Sequence, residues 1–330
     1  MASLRDLRKR LRAVKNTQKI TKAMKMVAAS KLRRAQQQVI EARPFAAGMQ
    51  DVLDHVVSRS DIAGHELMKA RKPSRVEIVV MTSNRGLCGG FNSSIIRAVE
   101  KHIAENEDKH DEILLSCVGK KGAEHFIRKG WDLTSRHDEI WDDLSYEQAS
   151  DLATSLAARF TARRLDAVYL VYNELKSAIS QKVVLQQLLP VLPLDNWEED
   201  EQFRIGEMAP FTQDLAQMPS ADEVEVEIPE DWKPSPDLEV ARTGFEHVFE
   251  PSREEVLDAL IPQHLTVQVW RALLESIASE HGARMAAMDA ASTNAKELIE
   301  KITLQANRLR QAGITNELME IVSGAESLTS

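Results

Sequence analysis

The chain has 330 residues, 43% of them hydrophobic and only 5% aromatic, which supplies one large domain or two ordinary ones and argues against an aromatic-rich all-β core. Two cysteines, Cys88 and Cys117, exclude a disulfide framework and a CxxC site, and no apolar run approaches the roughly 20 residues that cross a bilayer. The net charge of −9 hides an asymmetry: residues 1–43 hold 13 Lys or Arg against Asp6 and Glu41, a balance of +11, whereas residues 195–239 hold 15 acids against Arg204 and Lys233, a balance of −13.

Residues 1–30 intersperse Lys and Arg among single apolar residues without the continuous apolar stretch of a secretory signal, which predicts a cytosolic chain. Apolar or small residues then recur at Leu4, Leu7, Leu11, Val14, Ile20, Met24, Val27, Leu32, Ala35, Val39 and onward to Val56. Steps of three and four mark one helical face, and the rhythm resumes after Pro44, so a single helix is expected over about residues 3–58. Strands are expected at 75–81 (RVEIVVM), 113–118 (ILLSCV) and 167–172, with an edge strand near 183–192. Helices are expected between them at about 93–105, 123–129 and 146–163. Alternating strands and helices predict a small, mainly parallel α/β sheet. Residues 195–245 combine many acids with seven Pro or Gly, the composition of an insertion without a packed core. A second long helical pattern runs from about 265 to 323, after an interruption at Pro262.

Length sets the architecture. A helix of about 55 residues is about 80 Å long, while a compact globule of this size has a radius of gyration of about 20 Å. The two terminal helices must therefore project, and their stripes are satisfied by pairing as a coiled coil. The expected units are an N-terminal shaft helix at 1–60, an α/β domain at 74–195, an acidic insertion at 196–243 and a C-terminal shaft helix at 244–330.

Signals for chemistry are weak. The loop Asn84-Arg85-Gly86-Leu87-Cys88-Gly89-Gly90 follows a strand, but it lacks the Lys-Ser/Thr ending of a P-loop and the GxGxxG spacing. It reads as a tight turn that needs positive φ, with Gly86, Cys88, Gly89 and Gly90 as turn residues. Cys88 has no histidine near it in sequence and reads as a structural thiol. The nine histidines show neither HxxxH nor HxH spacing, so no metal is expected. The basic band at residues 5, 8, 9, 12, 15, 19, 22 and 25 fits nucleic acid, an anionic membrane or an acidic protein partner, or simply a solvated helix face. No aromatic residue precedes Phe45, which disfavours nucleic acid.

The string Asn16 to Lys31 (NTQKITKAMKMVAASK), with RGLCGG at 85–90, SEHGARMAAM at 279–288 and QAGITNELMEIVSG at 311–324, resembles the gamma subunits of F-type ATP synthases over essentially the whole chain except about 196–243. That resemblance implies an α/β domain plus a long antiparallel coiled coil of the terminal helices. It implies a rotor shaft inside a hexamer of alpha and beta subunits, with a foot on the ring of c subunits beside the epsilon subunit. Proton flow would turn the ring and shaft, and the shaft would drive the three beta sites in sequence, with no catalytic residue or cofactor of its own. It further implies a place at the cytoplasmic face of a bacterial inner membrane. An acidic helix-turn-helix of the beta subunit would press near Met24, Lys25 and Met26. Other hexamer contacts map onto Arg284, Arg310, Gln311 and Thr315, and Ile321 and Val322 would sit in an apolar bearing. Two features depart from relatives: Lys25 stands where some are acidic, and the acidic segment lies where chloroplast relatives carry a regulatory insertion but contains no Cys. The competing readings are a stand-alone nucleotide-binding or cysteine enzyme and a basic coiled-coil adaptor.

Overall fold

The first helix, α1, spans Leu4–Val57 and runs on through Pro44 and Gly48. This computed structural model describes residues 4–57, 65–141, 144–177, 180–191 and 252–329, so the expected insertion at 196–243 lies outside the described residues. After a 3-10 turn at Glu66–Met68, capped by His65, come β1 (Arg75–Met81), α2 (Phe91–Asn106), β2 (Glu112–Val118), α3 (Lys120–Arg128) and β3 (Leu133–His137). Then follow α4 (Tyr146–Thr161), β4 (Ala167–Leu175), β5 (Gln181–Leu189) and the 77-residue α5 (Arg253–Thr329).

The sheet order is β3-β2-β1-β4-β5. The first four strands are parallel and β5 closes the edge antiparallel to β4. Central β1 is buried on both faces, which is why RVEIVVM reads as a nearly unbroken apolar run. Val76, Ile78 and Val80 meet Phe91, Ile95 and Val99 of α2 and Phe126 of α3. Val79 and Met81 face the opposite way, onto Leu152 and Leu156 of α4 and Leu265 and Val269 of α5. Glu77 lies on this second face, fully buried, ion-paired with Arg159 at 2.7 Å and accepting from the Ser116 hydroxyl at 2.5 Å. A buried carboxylate persists there because guanidinium and hydroxyl replace its water.

α1 packs along α5 in the opposite direction. Leu53 shares a cluster with Leu257 and Ile261, Leu32, Ala35 and Val39 share one with Leu274 and Ala278, and Lys25 Nζ meets Asp289 Oδ1 at 2.7 Å. Continuing residue for residue from that ion pair, the start of α1 falls beside about residue 310 of α5.

Three elements differ from the sequence expectation. α5 begins at Arg253, not near 265: the Ser252 hydroxyl accepts the Glu255 N–H at 3.2 Å, an S-x-x-E helix start. The helix crosses Pro262 because Leu257, Ile261 and Leu265 are all buried on the sheet, and that packing outweighs the roughly 3 kcal/mol proline penalty. Strand β3 was not expected, since Leu-Thr-Ser-Arg-His is mostly polar. It is an edge strand whose pairing with β2 shifts register between Leu115 and Ser116. Helix α3 starts at Lys120, directly after Gly119 at φ 97, where an added Cβ would stand 1.9 Å from the Thr82 carbonyl oxygen.

Candidate functional site

The turn between β1 and α2 is built from its own polar side chains. The Ser83 hydroxyl donates to the Arg85 carbonyl at 2.6 Å, and Asn92 at the start of α2 reaches back, its Oδ1 accepting the Ser83 N–H at 2.9 Å. The Asn92 amide also donates to Cys88 Sγ at 3.3 Å. Leu87 and Gly89 carry positive φ, 63° and 57°. The loop approaches α5 so closely that a Cβ on Gly89 would lie 3.8 Å from that of Ala287. Asn84 ties this turn to the next one: its amide donates to the Asp138 carbonyl at 2.7 Å and its Oδ1 accepts the Lys120 N–H at 3.0 Å. The backbone is thus fixed by internal bonds, and Gly89 is the turn residue whose conformation calls for glycine. Gly86 and Gly90 have ordinary φ, and Gly86 offers its carbonyl outward.

That carbonyl is one anchor of a junction with α5. Arg284 donates to the Gly86 oxygen at 3.3 Å and to Glu280 Oε1 at 2.6 Å, and its side chain is 13% exposed against 9% for Glu280. Burial pushes the Glu280 carboxyl up, and Arg284 offsets this only in part. The neighbouring His281 is pushed down to about 4 by burial and then by the Arg284 and Lys31 charges, so its imidazole is neutral.

Beside this junction α1, α5 and the turn enclose a groove of about 660 Å³. Its apolar wall comes from Ile20, Met24, Val27 and Leu87, and its charged lining from Lys31, Arg85 and the Arg284–Glu280 pair, so that Lys31 and Arg85 are the cations left over. Ile20 and Val27 are each 59% exposed and Leu87 65%, too much open apolar surface to be intramolecular core. An apolar floor with a cationic rim suits an amphipathic, acidic protein segment.

Of the residues singled out in the sequence, the fold brings Met24 and Arg284 together in this groove. Lys25 is turned toward Asp289, and Met26, 61% exposed, lies outside the lining. Arg310, Gln311 and Thr315 are exposed on α5, about 40 Å farther along the helix axis than Arg284. The side chains of Ile321 and Val322 lie outside the described residues. Sequence reasoning missed Lys31, Glu280, His281 and Leu87. The Glu280–Arg284 spacing of four was a legible ion-pair signal, but its junction with a turn nearly two hundred residues earlier was not.

The thiols are unsuited to nucleophilic chemistry. Burial raises Cys88, only partly offset by Ser83, and pushes Cys117 up to about 12. Among the described residues no three His, Cys, Asp or Glu side chains are grouped to hold a metal ion, and no helix is long and apolar enough to cross a membrane.

A family profile described as ATP synthase matches residues 3–328. The ATP synthase gamma chain of Geobacter metallireducens is 44% identical over 328 residues, covering 99% of both chains. That of Anaeromyxobacter dehalogenans is 44% identical over 331 residues, covering 99% of this chain and all of the relative. Among solved structures, the central stalk and c-ring of the Tetrahymena thermophila mitochondrial ATP synthase aligns with 83% of this chain and 99% of its own at 27% identity, with a TM-score of 0.54. A chain of the Euglena gracilis mitochondrial enzyme shares the fold over 98% of this chain and 94% of its own, at 21% identity and a TM-score of 0.58.

Proposed function

The chain belongs to the ATP synthase family, among its gamma chains, and from that premise we propose how its parts divide the work of a rotor. As a gamma chain it is the non-catalytic rotor of the central stalk, and ATP chemistry belongs to the beta subunits. α1 and α5 form an antiparallel coiled-coil shaft within a hexamer of alpha and beta subunits. The sheet domain, with the epsilon subunit, is the foot on the c-ring at the cytoplasmic face of a bacterial inner membrane. Proton-driven turning of the ring reaches the beta subunits through this shaft.

One observation carries the reading. α5 outruns α1, and near its far end Ile314, Leu318 and Met319 are 51%, 57% and 61% exposed on a helix without a companion among the described residues. An isolated helix of this kind is marginal in water, so a surrounding partner is required, and an apolar bearing around the tip, Ile321 and Val322 included, supplies it. The groove at Met24 and Arg284 takes an acidic lever of the beta subunit, and Lys25, Met26, Arg310, Gln311 and Thr315 present further hexamer contacts. Mixing the purified chain with its alpha and beta subunits tests this: the foot should rotate against an immobilised hexamer when ATP is added. ATP turnover by the chain alone, or an assembled hexamer that hydrolyses ATP with a stationary foot, overturns it.

A further inference from the structure

Torque in a rotor must cross from foot to shaft, and the hydrophobic effect is non-directional: after a slip of one turn, Leu and Val on a helix can find equivalent apolar contacts on the sheet. The described residues place a line of directional bonds at this joint. Strand β4 outruns its parallel neighbour, since the pairing with β1 ends at Val80 and Val171. Beyond that point α5 takes over as hydrogen-bonding partner. Glu275 Oε2 accepts the Leu175 N–H at 3.1 Å and the Ser279 hydroxyl donates to the Asn173 carbonyl at 3.0 Å. From the edge strand, Gln181 Nε2 donates to the Ser279 carbonyl at 2.8 Å and Gln186 Nε2 to Gln268 Oε1 at 3.1 Å. Arg271 donates to Gln186 Oε1 at 3.2 Å and to the Tyr172 hydroxyl at 3.4 Å.

The participating positions of α5, 268, 271, 275 and 279, are spaced by three and four and form one stripe. Gln268, Glu275, Ser279, Tyr172, Asn173 and Gln186 are all buried, so water cannot substitute for a bond that is broken. A slip of one helical turn would lose every one of these partners at once, whereas apolar contacts would re-form.

We propose that this polar seam is the torsional key of the rotor: Glu275, Ser279 and Gln181, with Gln268, Arg271 and Gln186, are positioning residues that lock the rotation and height of α5 against the sheet. The proposal rests on the rotor reading above and assigns the foot-to-shaft torque joint to named side chains. α1 has no such seam among the described residues; its Leu53 reaches the sheet-side core through apolar packing. Torque therefore enters α5 and reaches α1 secondarily.

The test uses the complex assembled with alpha and beta subunits, with one marker on exposed α3 and a second on α5 beyond Met288. The angular variance between them is read by polarised fluorescence without ATP. The triple variant Gln181→Leu, Glu275→Leu, Ser279→Ala removes three of the six bonds, and for springs in parallel the variance rises about twofold. Glu275→Gln keeps an acceptor for the Leu175 N–H and should leave the variance unchanged. If the triple variant fails to assemble, Ser279→Ala alone, which removes only a hydroxyl, should widen the variance by about one fifth. An assembled variant whose thermal stability falls while the variance stays at the wild-type value makes the seam merely structural and overturns the proposal. Failure of the wild-type foot to rotate on ATP addition would instead overturn the rotor reading, so the two failures are distinguishable.

Discussion

Arg284→Met separates the two tasks of the α5 junction. The arginine neutralises Glu280 at 2.6 Å and holds the Gly86 carbonyl at 3.3 Å, with both charged side chains largely shielded from water. The small values of exposed ion pairs therefore do not apply, and leaving Glu280 buried without its partner costs about 3 kcal/mol. Burial already raises the Glu280 carboxyl, so the native state holds that proton more tightly than the unfolded chain. The group's contribution to stability is complete at low pH and declines as pH rises through the native pKa. Without Arg284 that pKa rises further, and the penalty is largest at pH 8 and shrinks toward pH 5. Amide hydrogen exchange of residues 84–92 and 277–289 in the assembled complex reads the local effect, and 3 kcal/mol corresponds to about a hundredfold loss of protection at pH 8. The double variant Glu280→Gln, Arg284→Met carries no buried charge and should recover all but about 1 kcal/mol. Equal loss at pH 5 and pH 8, with no recovery in the double variant, would refute the electrostatic account.

Cys88→Ser should leave turnover of the assembled complex nearly unchanged, because the thiol is buried and held protonated; a fall beyond about a hundredfold with assembly intact would mark a chemical role. Lys22→Glu with Lys25→Glu sets a carboxylate against Asp289 where Lys25 now makes a 2.7 Å pair. The lost exposed pair is worth about 0 to 1 kcal/mol, so assembly should survive while coupling changes most at low salt. Burial, with Arg271 adding, pushes His264 down to about 4, so the unfolded chain gains a proton below its ordinary 6.5 that the folded chain refuses. His264's share of the stability should fall by about 1.4 kcal/mol per pH unit as pH drops from 6.5 toward 4, and His264→Gln should remove that share in exchange measurements while leaving the equal share of His281, which burial likewise pushes down to about 4.

The fold was legible where one periodicity controls many residues. The three-and-four rhythm of α1 survives Pro44 in the structure as in the sequence, and RVEIVVM could be buried only in the middle of a sheet. Legibility failed where one strong local signal competed with distant packing. Pro262 argued for a late start to α5, but the cost of a proline is met by Leu257, Ile261 and Leu265 on the sheet, and Ser252 with Glu255 already marked the true beginning. β3 was invisible because edge pairing, not apolar pattern, holds Leu133–His137 in place.

The site was legible only in fragments, because its parts are brought together from three distant stretches. Met24 and Lys31 come from α1, Arg85 and Leu87 from the turn, and Glu280 and Arg284 from α5. No local window contains the whole apolar wall or all of the cations, since each stretch supplies only a part of both, and charge alone pointed to the whole basic face of α1. The apolar surface explains why the groove suits a protein segment better than a free anion. Ile20, Val27 and Leu87 stay open to water at a hydrophobic cost that a phosphate-sized ligand could not recover, whereas an acidic helix would cover them and neutralise Lys31 and Arg85 together. On the proposed reading the other half of this interface lies on another chain, and what the groove offers it is an exposed apolar strip beside the cations Lys31 and Arg85, fixed in place by a turn whose own hydrogen bonds are already satisfied.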